Sequence, residues 1–142
     1  MSGADFLDTN VLVYLFDETD ERKRRIATEL VRRGVALGTA CISFQVVQET
    51  LQVVTRKLSP PATAVEAIRL LDDVLTPLWT VAPTPALYRR GLELQERYRL
   101  SFYDALVVAA ALEAGCERLL TEDLQHGQRI ERLTIEDPFV SA

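Results

Sequence analysis

Histidine is almost missing from this chain: His126 is the single copy. That excludes zinc centres built on several imidazoles and leaves any serine-hydrolase triad hanging on one residue, with no Gly-x-Ser-x-Gly turn to expose a nucleophile. Cysteine is scarce as well. Cys41 and Cys116 each sit in an apolar stretch, not in a paired metal-ligand spacing, and read as buried, reduced side chains. No apolar run approaches the length that spans a bilayer, and Asp5 and Asp8 interrupt the opening apolar residues where a signal peptide would have none. A soluble cytoplasmic protein is the expectation. Excess positive charge is also lacking: 16 basic against 21 acidic residues leave a net charge of −5. Without the broad positive field that phosphate-gripping proteins carry, any nucleic-acid partner must be held locally. The chemistry left to this chain belongs to carboxylates, hydroxyls and cations.

What is present is apolar material: 48% of the 142 residues are hydrophobic, enough for one domain spanning residues 1–142 with a sizeable core. Lys23 and Lys57 are the only lysines, so nearly all the basic residues are arginine, whose planar fork suits phosphate and surface carboxylate equally.

The chain alternates short strands with helices. Ala4 to Leu7 reads as a strand ending at Asp8-Thr9-Asn10, with Val11 to Phe16 leading into a helix. Asp20 to Gly34 has Ile26, Leu30 and Val31 at helical spacing and Gly34 as a stop signal. Its Arg22-Lys23-Arg24-Arg25 run could meet phosphate, but reads more simply as a solvated face supported by Glu21–Arg25 and Glu29–Arg33 pairs. Val35 to Ile42 is expected as the second strand, followed by a helix capped by Ser43 and running to about Leu58. Pro60 and Pro61 break the chain before a helix from Ala62 to Leu75 that ends near Pro77. Leu78 to Val81 is a third strand, and Pro83 and Pro85 introduce a helix to about Arg99. Ser101 caps an apolar helix, Phe102 to Ala114, closed by Gly115. Arg118 to Thr121 is a fourth strand and Ile130 to Ile135 a last one. The alternation predicts an α/β fold with a parallel sheet covered on both faces.

Such sheets gather ligands at the C-terminal ends of their strands, where Asp8 and Asp123 both fall. Glu49, about two turns into the helix after the second strand, and Asp104, in the first turn of the helix before the fourth, can reach the same crevice. Four carboxylates in one pocket raise one another's pKa, a conflict that a divalent cation removes. Mg²⁺ and Mn²⁺ prefer oxygen ligands, and a carboxylate site without histidine points to phosphoryl chemistry rather than acyl transfer. Each acid also has a structural reading. Ser101-x-x-Asp104 fits a capping box, Asp8 an Asx-type turn, Asp123 a loop cap, and Glu49 an exposed helix position, although its neighbours Val46, Val47, Leu51, Val53 and Val54 are apolar. The functional reading rests on the four together.

Phe6-Leu7-Asp8-Thr9-Asn10-Val11-Leu12, Glu49, Ser101-Phe102-Tyr103-Asp104-Ala105-Leu106 and Leu120-Thr121-Glu122-Asp123-Leu124, in that order, resemble the motifs of PIN domains. The resemblance spans almost the whole chain and is greatest to the short toxins of VapBC toxin–antitoxin pairs. It implies a three-layer α/β/α fold with a central parallel sheet. It also implies a Mg²⁺- or Mn²⁺-dependent endoribonuclease in which Asp8 and Asp104 are the principal metal ligands and Glu49 and Asp123 complete the acidic, catalytic pocket. Metal-activated water would attack the phosphodiester, with Asp123 a candidate to orient it and Thr121 or Asn10 to help hold a water or ligand. Whether Glu122 or Asp123 points inward is open in the residues themselves; the family pattern favours Asp123. The resemblance further implies an RNA substrate, a homodimer and a separately encoded antitoxin. The stretch from Leu70-Leu71 to Leu78-Trp79 could supply exposed apolar surface for a partner, or could be ordinary core.

Two other enzyme classes fit less well. Haloacid-dehalogenase-like phosphotransfer wants Asp-x-Asp, and Asn10 takes the second position; a receiver domain wants a lysine after its last strand, and none is there. A non-catalytic PIN-like module that binds RNA or protein is the remaining alternative, disfavoured because unpaired buried carboxylates destabilise a fold that does not use them.

Overall fold

Phe6-Leu7, Cys41-Ile42-Ser43 and Leu119-Leu120 are buried at consecutive positions, so these strands are covered on both faces and cannot be the half-wet strands of an antiparallel sheet. The computed structural model describes residues 4–140 and arranges them as a three-layer α/β/α fold. The elements are β1 (Asp5–Leu7), α1 (Thr9–Val13) with a 3₁₀ turn (Tyr14–Phe16), α2 (Glu21–Leu37), β2 (Ala40–Ser43), α3 (Phe44–Arg56) and α4 (Ala64–Leu70). A π-helical stretch (Leu71–Leu75) and α5 (Thr76–Leu78) lead to β3 (Trp79–Val81), α6 (Pro85–Tyr98), α7 (Phe102–Glu113), β4 (Arg118–Leu120), β5 (Arg129–Ile130) and β6 (Leu133–Glu136). The sheet order is β3-β2-β1-β4-β6-β5. From β1 the chain winds outward through β2 and β3, then returns to lay β4 on the other side of β1. The order therefore reverses between β1 and β4, and the crevice beyond their C-terminal ends is where such sheets bind ligands. Arg118 ties the centre, donating to Asp5 on β1 at 2.6 and 2.8 Å and to Glu136 on β6 at 2.8 Å. Among the described residues no helix is long and apolar enough to cross a membrane.

Several local expectations are corrected. Gly34 does not stop α2, which continues to Leu37 and ends at Gly38, whose φ of +66° is the left-handed conformation a C-terminal glycine supplies. Strand β2 consequently starts at Ala40, not Val35. Gly34 is there for close approach: a Cβ on it would lie 2.4 Å from the Ala40 Cβ. Gly34→Ala is expected to lower stability, because overpacking of about 1–3 kcal/mol exceeds the roughly 1 kcal/mol of helix propensity gained. Thermal melting checks this; an unchanged or higher midpoint would mean that β2 shifts freely away from α2.

The charged face of α2 pairs at i, i+3, Glu21 with Arg24 and Glu29 with Arg32, and not at the expected i, i+4 spacing. Ser43 occupies the position before α3, but its hydroxyl makes no capping bond and is buried without a partner. Being the last residue of β2 as well, it is held inside the sheet. Pro77 does not end a helix at Leu75; the π-helical stretch lets the path continue to Leu78, with the proline in the first turn of α5, where its missing N–H costs least. The final strand is a hairpin, with β5 antiparallel to β6 across a two-residue turn in which Glu131 takes φ +57°. The sheet is thus mixed at one edge and parallel elsewhere. Leu70, Leu75 and Leu78 are core, so within 70–79 only Trp79, 44% exposed, presents a large apolar surface.

Candidate active site

Strand β1 delivers Asp8 to the crevice and strand β4 delivers Thr121 and, two residues on, Asp123. Asp8 is the N-cap of α1, its Oδ1 accepting from the Thr9 N–H at 2.7 Å. Its Oδ2 accepts from the Thr121 hydroxyl at 2.8 Å. The same Thr121 oxygen accepts from the Asp123 N–H at 3.1 Å and from Asn10 Nδ2 at 3.2 Å, and Asn10 Nδ2 also donates to Asp123 Oδ2 at 3.0 Å. The Thr9 hydroxyl donates to Glu49 Oε1 at 2.8 Å. Thr9, Asn10 and Thr121 therefore hold three of the four carboxylates; fully buried, Thr121 works as a bracket for acids and not as a direct ligand contact.

Asp104 differs. Ser101 caps α7 by accepting from the Asp104 N–H at 3.2 Å, but the Asp104 carboxylate does not bond back to Ser101. The box is only half made, in contrast to α4, where Thr63 and Glu66 bond reciprocally. Capping explains Ser101 and leaves the Asp104 carboxylate unaccounted for.

Asp8, Glu49, Asp104 and Asp123 all line one cavity of about 410 Å³, together with Thr9, Asn10, Gln45, Lys57 and Tyr103. A larger hollow of about 810 Å³ runs along α2, but it is formed by Ile26, Leu30 and the mutually paired Glu21–Arg24 and Glu29–Arg32, with no cluster of unpaired acids, so chemistry favours the smaller one. Glu122 turns away: its carboxylate accepts from Tyr14 Oη at 2.5 Å and Lys23 Nζ at 2.9 Å, and Lys23 lies over the Tyr14 and Phe139 rings. Asp123 is thus the one of the adjacent pair that faces the crevice. His126 is outside, its Nδ1 accepting from the Asp137 N–H.

Asp8 is only 6% exposed, and its pKa is raised from 3.8 to about 6. Burial is the main cause, reinforced by Asp123 and Glu49 and opposed by the bonds from Thr121 and Thr9. The titratable oxygens of the cavity belong to carboxylates and a tyrosine, with no histidine or cysteine, a donor set suited to a hard divalent cation. Among the described residues no group of three His, Cys, Asp or Glu side chains is drawn together closely enough to hold a metal ion by itself. Mg²⁺ commonly binds through one or two carboxylates and keeps several waters, so an open set of acids around the buried Asp8 fits it.

Gln45 and Tyr103 escaped the sequence reading. Gln45 stands four residues before Glu49, one helical turn along the same face, a spacing that would have pointed to it. Tyr103 is marked only by being the exposed neighbour of Asp104.

A family model for the PIN domain matches residues 6–131 of the chain. No curated protein sequence matches it. Among solved structures, a toxin-antitoxin complex from Klebsiella pneumoniae is 21% identical with a TM-score of 0.67, over 95% of this chain and 98% of that one. DNA-bound VapBC from Salmonella typhimurium is 19% identical at a TM-score of 0.66, over 97% and 99%. VapC20 from Mycobacterium tuberculosis, a sarcin-ricin loop cleaving toxin, is 21% identical at 0.62, over 84% and 90%. At these identities the likeness is one of fold.

Proposed function

This chain belongs to the PIN-domain family, and on that premise we propose that it is a metal-dependent endoribonuclease, the toxin of a type II toxin–antitoxin pair. The observation that carries the proposal is Asp8: a carboxylate buried at the switch point of the sheet, pushed up to about 6 beside two further acids and lining one cavity with a third. Asp8 gives the fold a helix cap, but a neutral cap would do the same without burying a charge beside two other acids.

In this reading Asp8 and Asp104 hold a Mg²⁺ or Mn²⁺ ion, and Glu49 and Asp123 complete the site. When bound, the ion supplies positive charge against the acids and the developing charge of the phosphodiester and makes water a stronger nucleophile. Thr121 and Thr9 keep the Asp8 oxygens in place, so little reorganisation is needed during reaction. Asp123, fastened through one oxygen by Asn10, has its other oxygen available to orient the attacking water and accept its proton. The acidic net charge leaves RNA to be gripped locally at this cavity, where Lys57 is the cation among the lining residues. A single domain over residues 1–142, working in the cytoplasm as a homodimer with an antitoxin partner, belongs to the same proposal. The toxin-antitoxin assemblies among its fold neighbours support it.

The test is cleavage of total cellular RNA by the purified protein in Mg²⁺ or Mn²⁺ against an EDTA control. Discrete fragments that vanish with chelation are expected. No cleavage, together with no Mn²⁺ binding in calorimetry, would replace the nuclease by a non-catalytic PIN-like module.

A further inference from the structure

Cys41 and Cys116 are the only cysteines of the chain, and the fold brings them together. Cys41 stands on β2, level with Phe6 of β1, and Cys116 at the turn from α7 into β4. They are 75 positions apart in sequence, yet their Sγ atoms lie 3.1 Å from each other. Cys41 is 7% exposed and Cys116 is fully buried. Strands β2 and β4 are not neighbours in the sheet, because β1 runs between them, so strand pairing itself provides no tie between these two places. The thiols are also unequal. The bond from Cys116 draws the Cys41 thiol below its ordinary value in spite of burial, with help from Thr80, whereas Cys116, giving that bond from a buried position, is pushed up.

We infer that Cys41 and Cys116 are a site of reversible oxidation, closing to an intramolecular disulfide that staples β2 to the α7–β4 turn when the chain meets a peroxide. Cys41 attacks first: its sulfur takes one peroxide oxygen, the O–O bond breaks, and the other oxygen leaves with the thiol proton as water. Cys116 then attacks the resulting sulfenic sulfur; the S–S bond forms, the S–O bond breaks, and the Cys116 proton leaves with that oxygen as a second water. Two electrons pass from the two sulfurs to the peroxide. From contact to bond the sulfurs need move only about 1 Å. A small oxidant has a short way in, since β3 is a three-residue strand at the sheet edge, its register with β2 shifts at Ile42/Ser43, and its exposed Thr80 reaches the Cys41 sulfur. Cys116 precedes β4 and Cys41 is the second of four residues in β2, while the acids gather beyond the C-terminal strand ends. The disulfide therefore leaves the acidic cavity alone and does not depend on the reaction proposed above. Its effect is on stability, because a closed loop of this length restricts the unfolded chain.

The test is titration of the purified, reduced chain with hydrogen peroxide, followed by alkylation under denaturing conditions and mass spectrometry. The expected product lacks two hydrogens, takes up no alkyl group and yields a linked Cys41–Cys116 peptide that dithiothreitol releases. The melting temperature of the oxidised chain should rise by about 10 °C and return on reduction. In Cys116→Ala, with no second thiol to resolve it, Cys41 should run on to sulfinic acid, while in Cys41→Ala the remaining Cys116 should stay reduced at the same peroxide concentration. The mass result on wild type decides even where a variant fails to fold. Full alkylation after peroxide, sulfinic acid as the main wild-type product, or links between chains only would overturn the site. A linked chain that melts no higher would overturn the staple, and equal oxidation of the remaining thiol in the two variants would overturn the order of attack.

Discussion

Asp8→Asn is expected to abolish the proposed metal-dependent cleavage and at the same time to raise the melting temperature of the metal-free protein at pH 8. The activity loss is expected to reach at least about 10³-fold, because charge stabilisation by a bound cation is worth several kcal/mol and each 1.36 kcal/mol is a factor of ten. The stability gain comes from the proton. In the folded chain the Asp8 carboxyl stands at about 6 against an ordinary 3.8, chiefly through burial and then through Asp123 and Glu49. The folded state therefore binds the proton more tightly than the unfolded chain does. As pH rises from about 4 to 6 that advantage is lost, and above pH 6 the native state carries the full penalty of a buried anion, on the order of 3 kcal/mol. Asparagine is neutral throughout and can still accept from the Thr9 N–H. Melting curves in EDTA should separate the two proteins progressively between pH 4 and pH 8, with the variant higher, and Mg²⁺ should raise the wild-type midpoint and leave the variant's unmoved. A variant that melts below wild type at pH 8 in EDTA would make Asp8 a structural cap and remove the chief support for the metal site.

Asp104→Asn and Ser101→Ala should come apart, although the two residues sit in one turn. Ser101 Oγ accepts the Asp104 N–H, so Ser101→Ala removes a helix cap and costs about 1 kcal/mol, visible as a lower melting temperature with cleavage per folded molecule retained. The Asp104 carboxylate makes no bond to Ser101, so Asp104→Asn leaves the cap and the stability intact. If Asp104 is a metal ligand, as proposed, the variant should lower cleavage by about 10²-fold or more, the loss reaching that of a preorganised electrostatic contact. Paired measurements of melting and of initial cleavage rate decide the matter. If Asp104→Asn melts like Ser101→Ala and cleaves like wild type, the Ser-x-x-Asp pattern is only a cap.

Elements that a few neighbouring residues specify were legible in the sequence. Strand β1 ending at Asp8, α6 introduced by Pro83 and Pro85, and α7 opened by Ser101 and closed at Gly115 carry local signals, and the structure has them there. The signals that misled were also local. Gly34 looks like a helix stop until Ala40 is seen packed against it, and Ser43 looks like a cap until its hydroxyl is seen inside the sheet. The β5–β6 hairpin turns at Glu131-Arg132, residues with no turn chemistry of their own; the pairing of Arg129 with Thr134 and Ile130 with Leu133 imposes the bend.

By itself the sequence determined the alternation of strands and helices, the buried runs that require a sheet covered on both faces, and the four candidate acids, Asp8 and Asp123 after strands and Glu49 and Asp104 on helices. Those are properties of periodicity and of residue type, which act over one or two turns. Only the tertiary structure decided that the four acids share one cavity, that Glu122 is drawn off by Tyr14 and Lys23 while Asp123 is kept by Asn10, and that Gln45 is buried with an unanswered oxygen. The reason is distance along the chain. Asn10 and Asp123, or Gln45 and Tyr103, lie far apart in sequence, and whether such side chains meet depends on the packing of β1 against β4 and of α3 beside α7, which no local pattern encodes.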